Sequence, residues 1–276
     1  MSNRCRPHPS SLTCCHLLLI VLIFTSCVNA SVDSYRVRLV DSNPSLQRYL
    51  FRGNTPVSGG STFDFTLLQS TLSQVAQQHY NTTLPAQYYL VDISFLFETQ
   101  QDLKVEKQFF QQNPHLGGLA HWTILGALVN ATDLPDWLRK ELALNEAKWD
   151  VEDQLLSRVP QLHAWVWEKE SIHSNHHHHD DNLFKYYVDG TPIVFYMHCE
   201  AGMDRTGEVS GAYYLKYFKW TFLQTLNYDY NIEEKPRPIG WANQNALNWF
   251  CWHLFYTEGY PLDCGKSLPR LKPMGV

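Results

Sequence analysis

The feature that most constrains the fold is an uninterrupted apolar segment, TPIVFYMH, at residues 191–198. A run of this length is typical of a strand that is buried on both faces of a parallel sheet. A short turn with two small residues, Ala201 and Gly202, follows it, and residues 208–222 then carry apolar side chains at helical spacing. A buried strand that leads through a tight turn into a helix predicts an α/β fold.

The rest of the chain agrees with this class. Apolar spacing and β-branched or aromatic enrichment predict elements on both sides of the segment. We expect strands at 34–41, 87–98 and 162–168, helices at 65–79, 103–112 and 241–255, and a short helix at 182–188. Residues 50–64 and 169–181 are expected to be loops, and 117–161 a largely helical insertion. The predicted architecture is a central, mostly parallel sheet flanked by helices.

The N-terminal 30 residues resemble a secretory signal. Arg4 and Arg6 precede an apolar stretch at 16–25, and Val28 and Ala30 occupy the small positions before a cleavage site. Cleavage after Ala30 would leave residues 31–276 as the mature chain. An uncleaved anchor through residues 12–30 is the alternative, and a lipoprotein signal around Cys27 is a weaker one.

Two further features fit a secretory protein. Asn81 and Asn130 begin Asn-X-Thr sequons, which predict surface glycans if the chain enters the secretory pathway. Four of the seven cysteines lie within the signal, so the mature chain keeps Cys199, Cys251 and Cys264. A bridge between Cys251 and Cys264 would leave Cys199 free, although three reduced thiols remain an alternative.

The turn after the apolar segment combines groups that suit phosphate chemistry. Backbone N–H groups of a turn and of a helix N-terminus converge there and bind anions. The same donors would acidify a thiol such as that of Cys199. Arg205 offers a planar fork for two phosphate oxygens, and Gly202 and Gly207 let the backbone approach a ligand. Together these groups predict phosphoryl transfer through a covalent thiophosphate.

The segment His198-Cys199, five residues, Arg205-Thr206-Gly207 resembles the H-C-x5-R-[ST]-G signature of the cysteine-dependent protein tyrosine phosphatase superfamily. Upstream, YLFRGNTP and YYLVDIS are similar to the early part of its dual-specificity subgroup. The resemblance implies a tyrosine-phosphatase-like fold and phosphatase activity. It implies a nucleophilic role for Cys199, tuning of its acidity by His198 and hydroxyl donation by Thr206. Phosphate binding would fall to the backbone of Glu200, Ala201, Gly202, Met203, Asp204 and Arg205 and to the Arg205 side chain.

The general acid is the point at which the sequence departs from that family. The common Trp-Pro-Asp triplet does not occur. Asp180 and Asp181, in the loop that also holds Glu168 and Glu170, match the family order of acid loop, helix, strand and nucleophile. Asp204 is the alternative, because an Asp-Arg-Thr triplet is similar to that of myotubularins and Sac-type phosphatases. Asp204 could instead cap the following helix.

The net charge of the chain and the charges of the turn limit the classes of ligand that it can bind. A formal net charge of −5 excludes the basic surface that nucleic-acid binding requires. Glu200 and Asp204 make the turn acidic, which favours singly phosphorylated substrates such as phosphotyrosine or small phosphorylated molecules. The Asp-Arg-Thr triplet favours phosphoinositides or inositol phosphates, and a catalytically weak phospho-ligand-binding module is the non-enzyme alternative. We expect no cofactor, because a solvated loop explains His176–His179 better than a metal site does.

Overall fold

A five-stranded sheet organises the molecule. The structure, a computed structural model, describes residues 32–172, 183–232, 236–259 and 263–265. In chain order the strands are β1 (Arg38–Asn43), β2 (Arg48–Asn54), β3 (Val57–Ser58), β4 (Thr62–Phe63), β5 (Tyr89–Ser94), β6 (Gly117–His121) and β7 (Ile193–Cys199). Strands β3 and β4 form a separate small hairpin.

Eight α-helices lie within the described residues. They are α1 (Phe65–Tyr80), α2 (Gln101–Gln112), α3 (Asp136–Leu144), α4 (Glu146–Trp149), α5 (Leu155–Trp167), α6 (Asp204–Tyr213), α7 (Phe222–Tyr230) and α8 (Trp241–Glu258). A π-helical turn, Tyr214–Phe218, continues α6. An Asp64 side chain caps the start of α1, and a Thr221–Gln224 capping box begins α7.

The strand order in the sheet is β1-β2-β7-β5-β6. Strand β1 pairs antiparallel with β2, whereas β2, β7, β5 and β6 run parallel. All seven residues of β7 are buried, as its continuous apolar run predicts for a central strand. The predicted α/β class with a mostly parallel sheet flanked by helices is therefore confirmed.

Each face of the sheet has its own hydrophobic core. Alternate residues of β7 belong to different cores: Phe195 and Met197 face one, and Val194 and Tyr196 face the other. Helices α5, α6, α7 and α8 cover the first face, and α1 and α2 cover the second. The loop that follows β7 thus emerges from the centre of the molecule at the carboxyl edge of the sheet.

Several element predictions were wrong. Residues 162–168 end helix α5 rather than forming a strand, because Leu155, Val159, Leu162 and Val166 make one buried helical stripe that the aromatic residues obscured. The predicted loop at 50–64 contains most of the fully buried strand β2 and the β3–β4 hairpin. The predicted insertion at 117–161 begins with strand β6, and residues 183–186 form turns rather than a helix.

The predicted signal lies outside the described residues, so its cleavage and the alternative anchor remain predictions. Among the residues that the structure describes, no helix has both the length and the apolar character that a membrane span requires. The loop at 169–181 is described only as far as a short 3-10 turn, Lys169–Ile172. His176–His179, Asp180 and Asp181 also lie outside the described residues.

Candidate active site

The turn after β7 lies where two central parallel strands end. Cys199 closes β7 opposite Asn54, the last residue of β2, and Gly53 pairs with His198. Helix α6 begins at Asp204, only five residues after Cys199. The turn at residues 199–205, called the Cys199 loop below, is thus enclosed by a strand end and a helix N-terminus, where anions bind.

The carbonyl groups of the Cys199 loop are held by donors outside it or by the following helix. Four consecutive carbonyl oxygens accept hydrogen bonds: Glu200 from the Thr55 N–H at 3.2 Å, Ala201 from Arg36 Nη1 at 3.0 Å, Gly202 from Arg52 Nη2 at 2.9 Å and Met203 from the Gly207 N–H at 2.6 Å. The described peptide bonds are all trans, so each following N–H points the opposite way. The N–H groups of residues 201–204 therefore point away from the groups that bind these carbonyls, and the Met203 N–H bonds the Cys199 sulfur.

Gly202 is required by both conformation and space. Its φ of +68° lies in the left-handed region, which residues with a side chain rarely adopt. A Cβ atom there would lie 2.7 Å from the Asn54 nitrogen and closer still to the Gly53 carbonyl group. The loop thus packs directly against the backbone of β2.

Arg52 is the buried support beneath this contact. Its guanidinium is fully buried and forms an ion pair with Asp229 of α7. It also donates to the Ser210 hydroxyl at 2.6 Å and to the Gly202 carbonyl. A single side chain therefore ties the Cys199 loop to two helices, and a buried pair of this kind is costly to break.

The environment of Cys199 favours the thiolate. The side chain is buried, and it is the one free cysteine among the described residues. Burial alone would raise the pKa of Cys199, but the Arg205 charge, the Thr206 hydroxyl and the N–H groups of Thr206 and Met203 outweigh it and lower the pKa. A buried thiol with a lowered pKa has the properties of a nucleophile.

Arg205 is oriented by neighbours that sequence reasoning did not identify. Its Nη1 donates to the Phe95 carbonyl at 2.6 Å and to Gln100 Oε1 at 3.1 Å. Its guanidinium carbon lies 4.3 Å from the centre of the Phe97 ring. Within the described part of the chain, Nε and Nη2 have no protein acceptor, so one edge of the fork is available to an anion.

Behind the loop, His198 faces two buried carboxylates. Its Nε2 lies 3.0 Å from Asp92 Oδ1 and 3.6 Å from Glu106 Oε1, and all three side chains are fully buried. Burial alone would lower the pKa of His198, but the charges of Asp92 and Glu106 raise it to about 9. Burial raises the pKa of Glu106 to about 8 despite the opposing His198 charge.

The same three residues have the composition of a small metal site, since their ligand atoms all lie within 4.8 Å of one another. However, a separation of 3.0 Å between His198 Nε2 and Asp92 Oδ1 is that of a charge-assisted contact. Two ligands bound to one tetrahedral metal ion at about 2.1 Å each would stand farther apart. Within the described residues neither His198 Nε2 nor Asp92 Oδ1 has a hydrogen-bond partner, so the contact is an ion pair by distance. Its length also matches two adjacent ligands of an octahedral ion.

Asp204 is engaged by groups outside the loop. Arg237 donates to both of its carboxylate oxygens, at 2.8 and 3.0 Å, and the Gly240 N–H donates at 2.6 Å. Burial would raise the pKa of Asp204, but Arg237, the Gly240 N–H and Arg205 lower it. A general acid needs a pKa near the working pH, so this environment does not favour proton donation by Asp204.

The loop with Glu168 and Glu170 lies at the amino ends of the parallel strands, whereas Cys199 lies at their carboxyl ends. Arg48, which pairs with the first residue of β7, donates to the Glu168 and Lys169 carbonyls. Cys199 ends the same strand, so the separation is about 20 Å along β7. Residues 168–172 therefore cannot lie beside Cys199, because α5 ends near the start of β7. The positions of Asp180 and Asp181 are outside the described residues.

The segment after β6 lies at the carboxyl ends of the parallel strands, on the same side of the sheet as Cys199. It also precedes a helix in the chain, as an acid loop would. Its backbone is held by Asp153, which accepts from the N–H groups of Leu125 and Gly126. Residues 122–127 carry no carboxylate. Asp102 lies at the start of α2 and is half-buried. Burial and the Glu200 charge raise the pKa of its carboxyl group.

The remaining predicted sites lie apart from the loop. A disulfide bond joins Cys251 to Cys264, with a Cα–Cα distance of 5.6 Å. Asn81 is exposed at the end of α1, and Asn130 is half-buried with its side chain bonded to the Thr132 N–H.

Sequence reasoning missed the residues that support the loop, namely Arg36, Arg52, Asp92, Gln100 and Glu106. For Arg36 and Asp92 the available signal was a charged residue within a predicted strand; Arg52, Gln100 and Glu106 carried no local signal. No protein-family model matches the chain, and comparison with curated proteins finds no significant match. The interpretation of this site therefore depends on its geometry and on the resemblance of its motif.

Proposed function

We propose that this chain is a cysteine-dependent phosphatase that hydrolyses phosphate monoesters through a covalent intermediate on Cys199. The observation that carries the proposal is the arrangement of the Cys199 loop: four of its carbonyls are bound by surrounding groups, and the N–H groups of Met203 and Thr206 bond a buried thiol of lowered pKa. Such a ring of donors complements the equatorial oxygens of a phosphoryl group.

The chemistry follows from the positions of three side chains. The Cys199 thiolate attacks phosphorus, the bond from phosphorus to the ester oxygen breaks, and the leaving oxygen takes a proton from a general acid. Water then attacks the thiophosphate, loses a proton to a base and releases phosphate and the thiolate. Arg205 holds two phosphoryl oxygens through its open edge, and Thr206 stabilises the departing thiolate.

The topology supports a tyrosine-phosphatase-like fold. The nucleophile ends the central strand of a mostly parallel sheet, and a helix begins immediately after the loop. The phosphatase domain would occupy residues 31–276, with a helical insertion around residues 117–161 that begins with strand β6. This arrangement agrees with the H-C-x5-R-[ST]-G resemblance.

Electrostatics favour singly phosphorylated substrates. Glu200 accepts from Gln100 Nε2 at 2.9 Å and remains exposed, and Asp102 lies nearby. Arg237, which contacts the start of α6 from outside the loop, is already paired with Asp204. The first candidate is therefore a protein phosphotyrosine or dual-specificity substrate, and a phosphoinositide or inositol phosphate is the second.

The general acid is proposed among residues upstream of the nucleophile. Asp180 and Asp181 keep the family order, although α5 ends at the far edge of the sheet and the chain must return from there. Asp204 remains the alternative, against the lowered pKa that Arg237 imposes. Asp102 has the raised pKa that this role requires but stands in a different place in chain order.

The proposed location is the secretory lumen or the extracellular space. The signal-like N-terminus, the exposed sequon at Asn81 and the Cys251–Cys264 bridge are compatible with an oxidising compartment. Membrane anchorage through residues 12–30 is the alternative.

Turnover of an aryl phosphate by the purified mature chain tests the proposal. We expect release of the phenol and inhibition by vanadate, without added metal. Phosphate or vanadate binding with no turnover would instead support a phospho-ligand-binding module. Neither binding nor turnover would refute both functions.

A further inference from the structure

A second concave site lies outside the Cys199 loop. It has a volume of about 480 Å3 and is bounded by the segment after β6, by α3 and α4, and by α8. Its walls are mainly apolar, and representative lining residues are Leu125, Leu128, Leu138, Leu142, Ala246 and Trp249. This site is called the apolar cavity below. Its volume falls within the range of small-molecule sites, about 300–1,000 Å3.

The apolar cavity continues outward as an apolar rim. Leu128 is 82% exposed and Val151 is 61% exposed, and both line it. Exposed apolar side chains around a concave apolar site mark a place where apolar ligand surface is taken from water. A hydrocarbon chain could therefore enter between these two residues.

One polar group in the wall has no hydrogen-bond partner at one of its oxygens. Glu146 lines the cavity and is 99% buried, yet its Oε2 accepts no hydrogen bond within the described residues. The nearest cation candidate, His253 Nδ1, is 3.9 Å away. Burial and the Asp150 charge raise the pKa of Glu146 well above that of an exposed carboxyl, which favours its neutral form. A neutral carboxyl in an apolar wall can pair with an ester, amide or hydroxyl group of a bound chain.

The first turns of α8 connect the two sites. The Gly240 N–H binds Asp204 of the Cys199 loop, and Asn243 donates to Glu208 of α6 at 2.7 Å. Ala246, six residues beyond Gly240, lines the cavity. At a rise of 1.5 Å per residue, Ala246 lies about 9 Å beyond Gly240 along α8.

We infer that the apolar cavity holds the alkyl chain of a singly phosphorylated amphiphile whose phosphate group binds in the Cys199 loop. This inference rests on the proposed function and narrows its substrate class. A single chain suits an apolar site of this volume, and a single phosphate suits a loop with acidic neighbours and no lysine. The polar group next to the chain would meet Glu146.

Chain-length dependence tests the inference. We would measure kcat/KM for ethyl, hexyl and decyl phosphate, which share the same kind of leaving group, and for a phosphotyrosyl peptide. Short chains should not reach the cavity. Once the chain spans the gap, kcat/KM should rise by up to about fourfold for every methylene group that becomes buried. Equal values for all three alkyl phosphates would overturn the inference.

Two variants localise the effect. Leu128→Glu charges the exposed rim without disturbing the core, and Ala246→Trp fills the cavity. Both should abolish the advantage of decyl over ethyl phosphate and leave turnover of a small aryl phosphate within about twofold of wild type. Val188→Glu is the matched control, because Val188 is 70% exposed and does not line the cavity. A chain-length effect that survives in Leu128→Glu would place the chain elsewhere and contradict the inference.

Binding to Cys199→Ser separates this inference from the proposed function. Calorimetry with n-decanol, inorganic phosphate and decyl phosphate examines the cavity and the loop independently. We expect all three to bind. Leu128→Glu should remove decanol binding and lower the affinity for decyl phosphate towards that for inorganic phosphate, while phosphate binding itself is unchanged. Decanol binding without phosphate binding would refute the phosphatase and, with it, the coupling of the two sites. Phosphate binding without decanol binding would refute the cavity as a chain site and leave the phosphatase intact. Loss of peptide turnover in Leu128→Glu, with no alkyl chain-length effect, would identify a peptide instead and overturn the inference.

Discussion

The Cys199 loop and the apolar cavity, although connected through α8, are built in opposite ways. Around the loop, each of four consecutive carbonyls has a donor, and the supporting Arg52 is buried and paired. In the cavity wall, apolar side chains face open space, and the buried carboxyl of Glu146 lacks a partner at Oε2. The loop is therefore expected to tolerate little change and the cavity to adapt, as chemistry and ligand accommodation respectively require.

The largest effect should come from the nucleophile. Cys199→Ser keeps the shape of the loop, but a serine hydroxyl is a far weaker nucleophile than a thiolate. Activity towards an aryl phosphate should fall below about 1% of wild type, while vanadate binding is retained. The measurement is steady-state turnover together with calorimetric vanadate binding. Activity above a few per cent of wild type would exclude the covalent mechanism.

A substitution at Gly202 tests whether the loop is as rigid as its contacts indicate. Gly202→Ala adds a Cβ against the β2 backbone at positive φ, so we expect the free energy of unfolding to fall by about 3 kcal/mol or more. Gly190→Ala is the matched control, since Gly190 has φ +84° but no atom within 4 Å of an added Cβ. It should cost only about 1 kcal/mol.

Denaturant titration of both glycine variants provides the comparison. Gly202→Ala should also lose most of its aryl phosphatase activity under conditions in which it is folded, whereas Gly190→Ala should not. Equal losses of stability in the two variants would mean that conformational strain alone, and not the packing of the loop on β2, accounts for the requirement for glycine.

The charge behind the loop gives a pH-dependent test. Asp92→Asn removes the carboxylate that raises the pKa of His198 to about 9. His198 should then be neutral at pH 8, and without its positive charge the pKa of Cys199 should rise. The midpoint of inactivation by iodoacetamide should therefore move to higher pH. Burial keeps Glu106 protonated below about pH 8. Glu106→Gln should therefore not move a midpoint that lies below that pH.

Stability supplies an independent reading of the same ion pair. The pKa of His198 is raised on folding, so its contribution is complete below the ordinary histidine pKa of about 6.5 and is lost as the pH rises through about 9. Asp92→Asn should be less stable than wild type at pH 6, and the difference should shrink above pH 9. A difference that does not depend on pH would refute the charged state of His198.

A smaller effect is expected at Asp204. Because Arg237 and the Gly240 N–H hold this carboxylate ionised, Asp204→Asn should slow alkyl and aryl phosphates by similar factors. Arg237→Gln, which breaks the same pair, should produce a similar loss. The measurement is the slope of log rate against the pKa of the leaving group. A steeper slope in Asp204→Asn alone would make Asp204 the general acid, since acid catalysis is typically worth about 10²–10⁴-fold.

If the slope is unchanged in Asp204→Asn, the same measurement on Asp180→Asn, Asp181→Asn and Asp102→Asn identifies the acid. Only the variant that lacks the true proton donor should show the steeper dependence on the leaving group.

The smallest effect is expected in the cavity wall. Leu138→Ala removes a partly exposed side chain that borders open space, so it should destabilise the fold by about 1 kcal/mol or less. Leu50→Ala, in the fully buried centre of β2, should cost about 2–5 kcal/mol. Thermal and denaturant unfolding of the two variants measure the contrast. A loss at Leu138 as large as that at Leu50 would mean that the cavity is packed like the core.

The sequence by itself determined the elements with strong local patterns. The apolar run before Cys199 predicted the central strand β7, and the glycines and small residues after it predicted the turn, since these signals depend on neighbouring residues alone. The helices at 65–79 and 241–255 and the α/β class followed from periodicity. The motif likewise identified Cys199 and Arg205 as the candidate catalytic pair without the fold.

Only the tertiary structure decided how that pair is surrounded. Arg36, Arg52, Asp92, Gln100 and Glu106 are 93–163 residues away from Cys199 in the chain, so no local pattern connects them to it. Strand β2 escaped prediction because its arginines and glycine suit a buried strand only when Asp229 and the backbone of the Cys199 loop supply their partners. The 162–168 segment was predicted as a strand because seven residues with two tryptophans and a valine fit both the strand period and the helix period. Packing across α5 decides between the two. The state of Asp204 was likewise set by Arg237, whose proximity is a property of the folded chain.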